Sequence, residues 1–358
     1  MKKKSLYLLG IALYSVLFSG CEWTVDMEEM RPAPRLVLNS VVRTGEPVTA
    51  RVSRTWFFTE ENPNVVIPDA EVSLHINGQY VETLAWTEGD KEKNEQGYYQ
   101  AAYTPKAGDR IALTAAREGY VTVSAEVVVP VFAPVFKVED RITGILYDGD
   151  IRFNAERQLR VTFKDNPGEK NYYMFFCEIE YYAKDSTDNM ALMGWDYLNA
   201  SYEDEPLFSG QKNGLEEIVG YDRVSGRYGR VFTDEQINGK EYTLRLPNIN
   251  SAFEMDYIYN GVEGDYGHLP NHLPNDILID TIISPIRHYR VSLQTISESY
   301  YRYMKALIEM EDTSLHGDLI DVGLAEPISI YSNINNGLGI LGACSGQSVT
   351  LELSTKKE

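Results

Sequence analysis

EVSLHINGQYVETLAW, residues 71–86, decides how the first third of the chain is read. Val72, Leu74 and Ile76 alternate with polar neighbours, the two-residue period of a strand with one buried face. Asn77-Gly78 follows at once, and this pair favours the tight turn of a two-residue hairpin. Tyr80–Trp86 then reads as the returning strand. Outward from this hairpin the same pattern recurs at Leu36–Val42, Val48–Arg54, Tyr98–Tyr103, Arg110–Ala116 and Val121–Val129. Seven short strands within residues 35–130 predict a β-sandwich.

The sandwich ends at Val129-Pro130-Val131-Phe132-Ala133-Pro134, where two prolines stiffen an apolar link. Residues 131–358 form a larger domain, again mostly β. Leu159–Phe163, Tyr242–Leu246, Tyr289–Leu293 and Ser348–Leu353 alternate. In Tyr173–Tyr181, Tyr173, Phe175, Cys177, Ile179 and Tyr181 share one face, and Glu178 and Glu180 mark the other. One stretch differs. Ile296, Tyr300, Tyr303, Leu307 and Met310 recur at helical spacing, so the reading predicts a helix over 296–311, with Thr295 and Glu298 as its capping box. The fold class expected is mainly β: an immunoglobulin-like sandwich, then a β-rich domain carrying one main helix. Pro68–Leu74, Gly97-Tyr98-Tyr99, Ala107-Gly108-Asp109 and Gly119-Tyr120-Val121 resemble the small immunoglobulin-like or carboxypeptidase-regulatory-like modules of exported proteins.

The amino terminus places this body. Lys2, Lys3 and Lys4 precede an apolar run from Leu6 to Phe18, and Leu17-Phe18-Ser19-Gly20-Cys21 closes it. A basic start, a short apolar stretch and small residues make a secretory signal. The cysteine makes it resemble a bacterial lipoprotein signal, with Cys21 cleaved free and lipidated. Residues 1–20 are then the signal and 21–34 an acidic tether carrying Glu22, Asp26, Glu28 and Glu29. The signal holds three of 33 basic residues and none of 53 acids, so the remainder carries 30 against 53, a net of −23. Such a charge argues against nucleic acid and against electrostatic adhesion to an anionic membrane. The lipid is the expected membrane attachment.

DNPGEKNYY (165–173), FTDEQINGKEYTL (232–244), SESYYRYMKALIEME (297–311) and EPISIYSNINNGLGILGA (326–343) together carry a resemblance. With the signal and the sandwich, the chain is similar to the Bacteroidota lipoproteins called the domain of unknown function 4249 family. The resemblance implies an outer-membrane lipoprotein whose gene often neighbours a TonB-dependent transporter, and the body is expected to face outward. It implies no catalytic residue, because the family has no established chemistry. The function expected is a non-catalytic accessory to such a barrel that captures or covers an unidentified nutrient. The rival is a fimbrillin-like structural subunit, which assembles by strand donation. Asn336-Gly337 reads as a turn, and Gly337, Gly339 and Gly342 suggest a strand closely approached by another backbone.

No nucleophile, metal or phosphate motif stands out, and no cofactor is expected. Asp265, His268, His272 and Asp276 crowd twelve residues, but Pro270 and Pro274 preclude a helix that would align the histidines. A polar loop is the preferred reading there. Trp195–Phe208 and Phe253–His268 read as long loops mixing aromatics with acids and amides, so Trp195, Tyr197, Tyr202, Tyr257, Tyr259 and Tyr266 are the candidate contact residues. Cys177 faces inward, and Cys344 shares a face with Leu338 and Ile340. Export allows oxidation, which makes the two a candidate disulfide.

Overall fold

The computed structural model describes residues 30–61, 63–90, 95–148, 152–184, 190–197, 205–209, 229–246, 286–311 and 329–352. Eight strands come first: β1 (Leu36–Arg43), β2 (Thr49–Arg54), β3 (Glu71–Ile76), β4 (Gln79–Thr83), β5 (Ala85–Thr87), β6 (Tyr98–Gln100), β7 (Arg110–Ala116) and β8 (Val123–Val128). They make two facing layers, β1-β2-β6-β5 against β4-β3-β7-β8. Leu36, Leu38, Val52, Val72, Leu74, Ile111, Leu113 and Val123 fill the space between. The chain is mainly β, with this sandwich at its amino-terminal end.

Asn77 and Gly78 both take positive φ, 53° and 81°, as a primed hairpin turn requires. The returning strand expected at 80–86 is broken, however. Its first part pairs with β3 and its last part with β6 in the opposite layer. Leu84, buried between them, donates to Val72 O (2.8 Å) and carries the chain across.

The far unit contains β9 (Val135–Asp148), β10 (Arg152–Lys164), β11 (Tyr172–Lys184), β12 (Met190–Tyr197), the short turn α1 (Pro206–Ser209), β13 (Arg230–Thr233), β14 (Glu241–Leu246), β15 (Ile286–Ile296), α2 (Glu298–Glu311) and β16 (Leu338–Glu352). A sheet β14-β10-β9 covers one face of β11-β15. Phe163, Tyr173, Phe175, Cys177, Phe232, Tyr289 and Val291 pack between them. Helix α2 covers the opposite face through Tyr300, Met304 and Ile308, against Met174, Val231, Ile296 and Cys344.

One strand belongs to both units. The first half of β16 runs parallel to β1, from Val37↔Leu338 to Arg43↔Cys344. Its second half runs antiparallel to β15, from Ile296↔Cys344 to His288↔Glu352. The boundary at 130 therefore needs correction: residues 338–344 complete the amino-terminal sandwich. A Cβ on Gly339 (φ +106°) would lie 2.2 Å from Leu38 O, and one on Gly337 would lie 2.7 Å from Leu36 O. The backbone approach expected at these glycines is real. At Gly342 the neighbour is instead the Tyr300 side chain, with a built Cβ 2.9 Å from its Cβ and Cγ.

Three further expectations are corrected. The cap of α2 is Ser297, whose Oγ accepts from Tyr300 N (3.3 Å) and Ala343 N (3.1 Å). Thr295 still belongs to β15, and its Oγ1 accepts from Ala133 N (3.1 Å). The buried helical stripe is Tyr300, Met304 and Ile308; Leu307 is half-buried and Met310 exposed. Finally, Cys177 and Cys344 are free, buried thiols. The ladder explains why. Cys177 pairs with Val291, and Cys344 with Ile296, five residues along the same strand. An odd offset puts the two side chains on opposite faces of the sheet, and five residues separate them by roughly 16 Å along it, beyond disulfide reach.

Candidate binding groove at the junction

An open groove of about 840 Å³ lies where the two units meet. The end of β8, the link at Pro130-Val131, the β10–β11 turn, the start of α2 and Tyr331–Asn333 line it.

The β10–β11 turn is Asp165-Asn-Pro-Gly-Glu-Lys-Asn171. Gly168 takes φ 97°, which favours glycine. Asp165 is buried at the turn's root, where its carboxylate accepts from the Tyr173 hydroxyl and from Gly239 N (2.6 Å). Burial raises the Tyr173 phenol pKa, and the Asp165 bond adds to the rise. Asn171 Nδ2 donates to Asn166 O (2.9 Å) and Glu169 O (2.8 Å), tying the turn to itself. Asn166 Nδ2 reaches Val131 O (3.2 Å) and holds the turn against the link. The turn is thus fixed from beneath, and Glu169 and Lys170 stand exposed at its tip.

The opposite wall closes an open strand edge. Asn333 donates to Leu341 O and accepts from Leu341 N, both at 2.9 Å, in the manner of a neighbouring strand. Ser297 serves Ala343 similarly, its N donating to Ala343 O (2.8 Å) and its Oγ accepting from Ala343 N. These two residues satisfy the first half of β16 on the side away from β1.

What remains for a ligand is aromatic and charged. Lys170 Nζ stands 5.7 Å from the centre of the Tyr172 ring and 2.7 Å from Glu235. Tyr172 in turn packs on Tyr301, with ring centroids 5.0 Å apart. Arg302 stands 5.5 Å from the centre of the Tyr331 ring and pairs with Glu298 one helical turn away. Each cation is therefore held between a ring and a carboxylate. The Glu235 bond raises the Lys170 pKa, and the Glu298 bond raises that of Arg302. Both stay charged at neutral pH. Glu126, paired with Arg110 (2.7 Å), and Glu169 complete the rim. The arrangement offers two tyrosine faces flanked by both signs of charge, which suits recognition.

The residues singled out from sequence lie elsewhere. Trp195 and Tyr197 belong to β12, an edge strand and not the long loop expected, where they pair with Glu180 and Glu178. Those partners are eight and six residues along β11 from Tyr172, roughly 20–26 Å away. Cys21, Tyr202, Tyr257, Tyr259, Tyr266, His268 and His272 lie outside the described residues. Among the described residues no group of three or more His, Cys, Asp or Glu is placed to hold a metal ion, and no helix is long and apolar enough to cross a membrane. Sequence reading missed the groove residues, although Tyr172, Tyr301, Arg302 and Tyr331 all fall in stretches it had marked for another reason.

The sequence profile of the family described as Domain of unknown function (DUF4249) matches residues 22–350. No curated protein matches the chain.

Proposed function

The chain belongs to the DUF4249 family, and from that premise we propose that it is a lipid-anchored outer-membrane lipoprotein. It acts without catalysis as the accessory of a TonB-dependent nutrient barrel. Its Cys21 carries the lipid, its body faces outward, and the junction groove receives an exposed loop of the barrel. One observation carries this reading. Three of the four stretches on which the sequence resemblance rests, 165–173, 297–311 and 326–343, meet around the groove. Besides the side chains they send into the cores, such as Tyr173, Tyr300 and Leu341, all three contribute to this surface. The groove is open and carries both signs of charge on its rim. That shape fits a polar protein loop better than an enclosed small molecule, whose sites are concave and mostly apolar. The signal at Leu17–Cys21 supports the anchor.

A strand-donating fimbrillin-like role is the weaker reading. It needs an open slot in a sheet, and the slot beside β1 holds the chain's own β16. Affinity purification from native membranes in mild detergent tests the proposal. A TonB-dependent barrel should co-purify. The lipoprotein recovered alone would contradict the partnership, and a ladder of denaturation-resistant oligomers would favour the rival.

A further inference from the structure

The end of the near sandwich opposite the groove exposes large apolar side chains beside the tether. Met30, Trp56 and Phe58 are 67, 54 and 60% exposed, and Val121 is 69% exposed. The topology puts them at one end. Leu36 opens β1 opposite Arg54, the last residue of β2. Thr55 N donates to Arg35 O (2.9 Å), which ties the 55–60 loop to the tether's exit. Val121 sits in the β7–β8 turn, and Asn336 reaches Thr122 O (3.4 Å) while Arg35 reaches Gly337 O (3.2 Å). The loop and the turn therefore both border Asn336-Gly337. The loop is also braced: Glu60 accepts from Arg54 (2.8 Å), Arg31 (3.3 Å) and Phe57 N (3.2 Å). The Arg54 bond first, then the Phe57 bond, hold the Glu60 pKa below the usual range. With Phe57 under the Arg31 guanidinium, the loop presents Trp56 and Phe58 outward.

We infer that this end is a membrane seat: Trp56, Phe58, Met30 and Val121 dip into the lipid interface and hold the body upright on its anchor. The inference rests on the lipid-anchored reading of Cys21. The length of the tether selects lipid as the occupant. Eight residues separate Cys21 from Met30, a reach of roughly 30 Å at full extension, and the tether leaves the body beside the patch. Aromatic side chains favour the bilayer interface. With this end down, the groove stands away from the lipid, where a barrel's outer loops can enter it.

The test uses the lipidated chain in vesicles of phosphatidylethanolamine with a minority of phosphatidylglycerol. An environment-sensitive fluorophore is attached at Phe58→Cys or, as control, at Val81→Cys on the exposed β4. Native Cys177 and Cys344 are buried and stay unlabelled. The label at 58 should shift to the blue and lose most of its emission to spin-labelled lipid, and the label at 81 should do neither. Equal behaviour at the two positions would overturn the seat. So would protection of position 58 in native membranes without lipid quenching in vesicles, which would assign the patch to a protein. Intact mass at Cys21 reads the anchor separately. A lipidated chain with an unquenched label removes the seat alone, and an unlipidated chain removes both.

Discussion

The two sandwiches fill their cores with different chemistry. The near core is aliphatic, built from Leu36, Leu38, Val52, Val72, Leu74, Ile111, Leu113 and Val123, with Tyr99 the one fully enclosed ring among its described residues. The far core is aromatic. Tyr173 stacks on Phe232 at 5.2 Å, and Phe163 and Phe208 lie 6.0 and 5.5 Å from the same ring. Their polar fastenings differ too. Tyr99 donates to Ile67 O (2.7 Å) and accepts from Ala70 N (2.8 Å), a neutral bridge. In the far unit Tyr173 donates to the buried Asp165, and Tyr242 to the buried Glu205. A buried carboxylate is tolerated only with partners that satisfy it. Here the partners include Gly239 N for Asp165 and Arg245 N (2.9 Å) for Glu205. An aliphatic core only has to close. The far core also fixes the direction of its turns, and the turn rooted at Asp165 is a wall of the groove.

The largest effects should come from the cores. Phe163→Ala should cost about 3–5 kcal/mol and Leu113→Ala about 2–5 kcal/mol, both read by chemical denaturation. The comparison sharpens if the aromatic truncation also perturbs the groove, seen as altered Tyr172 environment in near-ultraviolet dichroism, and the aliphatic one leaves it alone. Gly339→Ala comes next. It forces a side chain into φ +106° and against Leu38 O, at about 1–3 kcal/mol for the backbone alone. Because β16 serves both sandwiches, probes in each should shift together; a shift confined to one would break the idea of a shared strand. Smaller again is Ile308→Val, about 0.5–1.5 kcal/mol, beside Met310→Ala, within about 0.5 kcal/mol because it is exposed. Equal losses would mean that α2 is rotated.

Alkali should then separate the two regions. Burial raises the Cys177 thiol, the Tyr242 phenol and the Tyr173 phenol, the last two helped by their carboxylate partners, and it pushes Tyr300 up to about 12. A raised group stabilises the fold below its ordinary value and stops doing so as pH rises through the raised one. For Tyr300 that window runs from 10.0 to about 12. Stability should therefore hold through neutral pH and fall above pH 9.0, the ordinary value of the Cys177 thiol. The near unit has raised phenols too, at Tyr99 and Tyr103, but the large shifts lie in the far unit, whose signals should fail first. A near unit that melts first in base would reverse the comparison.

Much of this was legible in the sequence. Glu71–Ile76 and Arg110–Ala116 are strands to the residue, and Tyr173, Phe175, Cys177 and Ile179 do share a buried face. Short-period alternation reports a local fact, which face is apolar, and local facts read well. The misses are long-range. A parallel pairing such as Val37↔Leu338 has no turn beside it to announce it. Alternation also says that a cysteine points inward without saying into which core, and β16 is buried on both faces at 340–345. Hence the bridge expected between Cys177 and Cys344 fails. At α2 the cap lies two residues beyond the Thr295 expected. Ser297 prevailed because Ala343 gives its hydroxyl a second bond, and Thr295 was already engaged by Ala133. The groove was illegible for the same reason: it gathers residues from five places and has no motif of its own.

The claim most exposed to test is that recognition happens at this junction. Tyr172→Ala with Tyr331→Ala removes both ring faces while leaving Asp165, Ser297 and Asn333 to hold the walls. Affinity purification of that variant from native membranes, beside the wild type and with matched melting temperatures, decides the matter. The account predicts a folded lipoprotein that reaches the membrane but no longer retains the barrel. Barrel recovered at the wild-type ratio would contradict it and send the search to the edge at Trp195 and Tyr197.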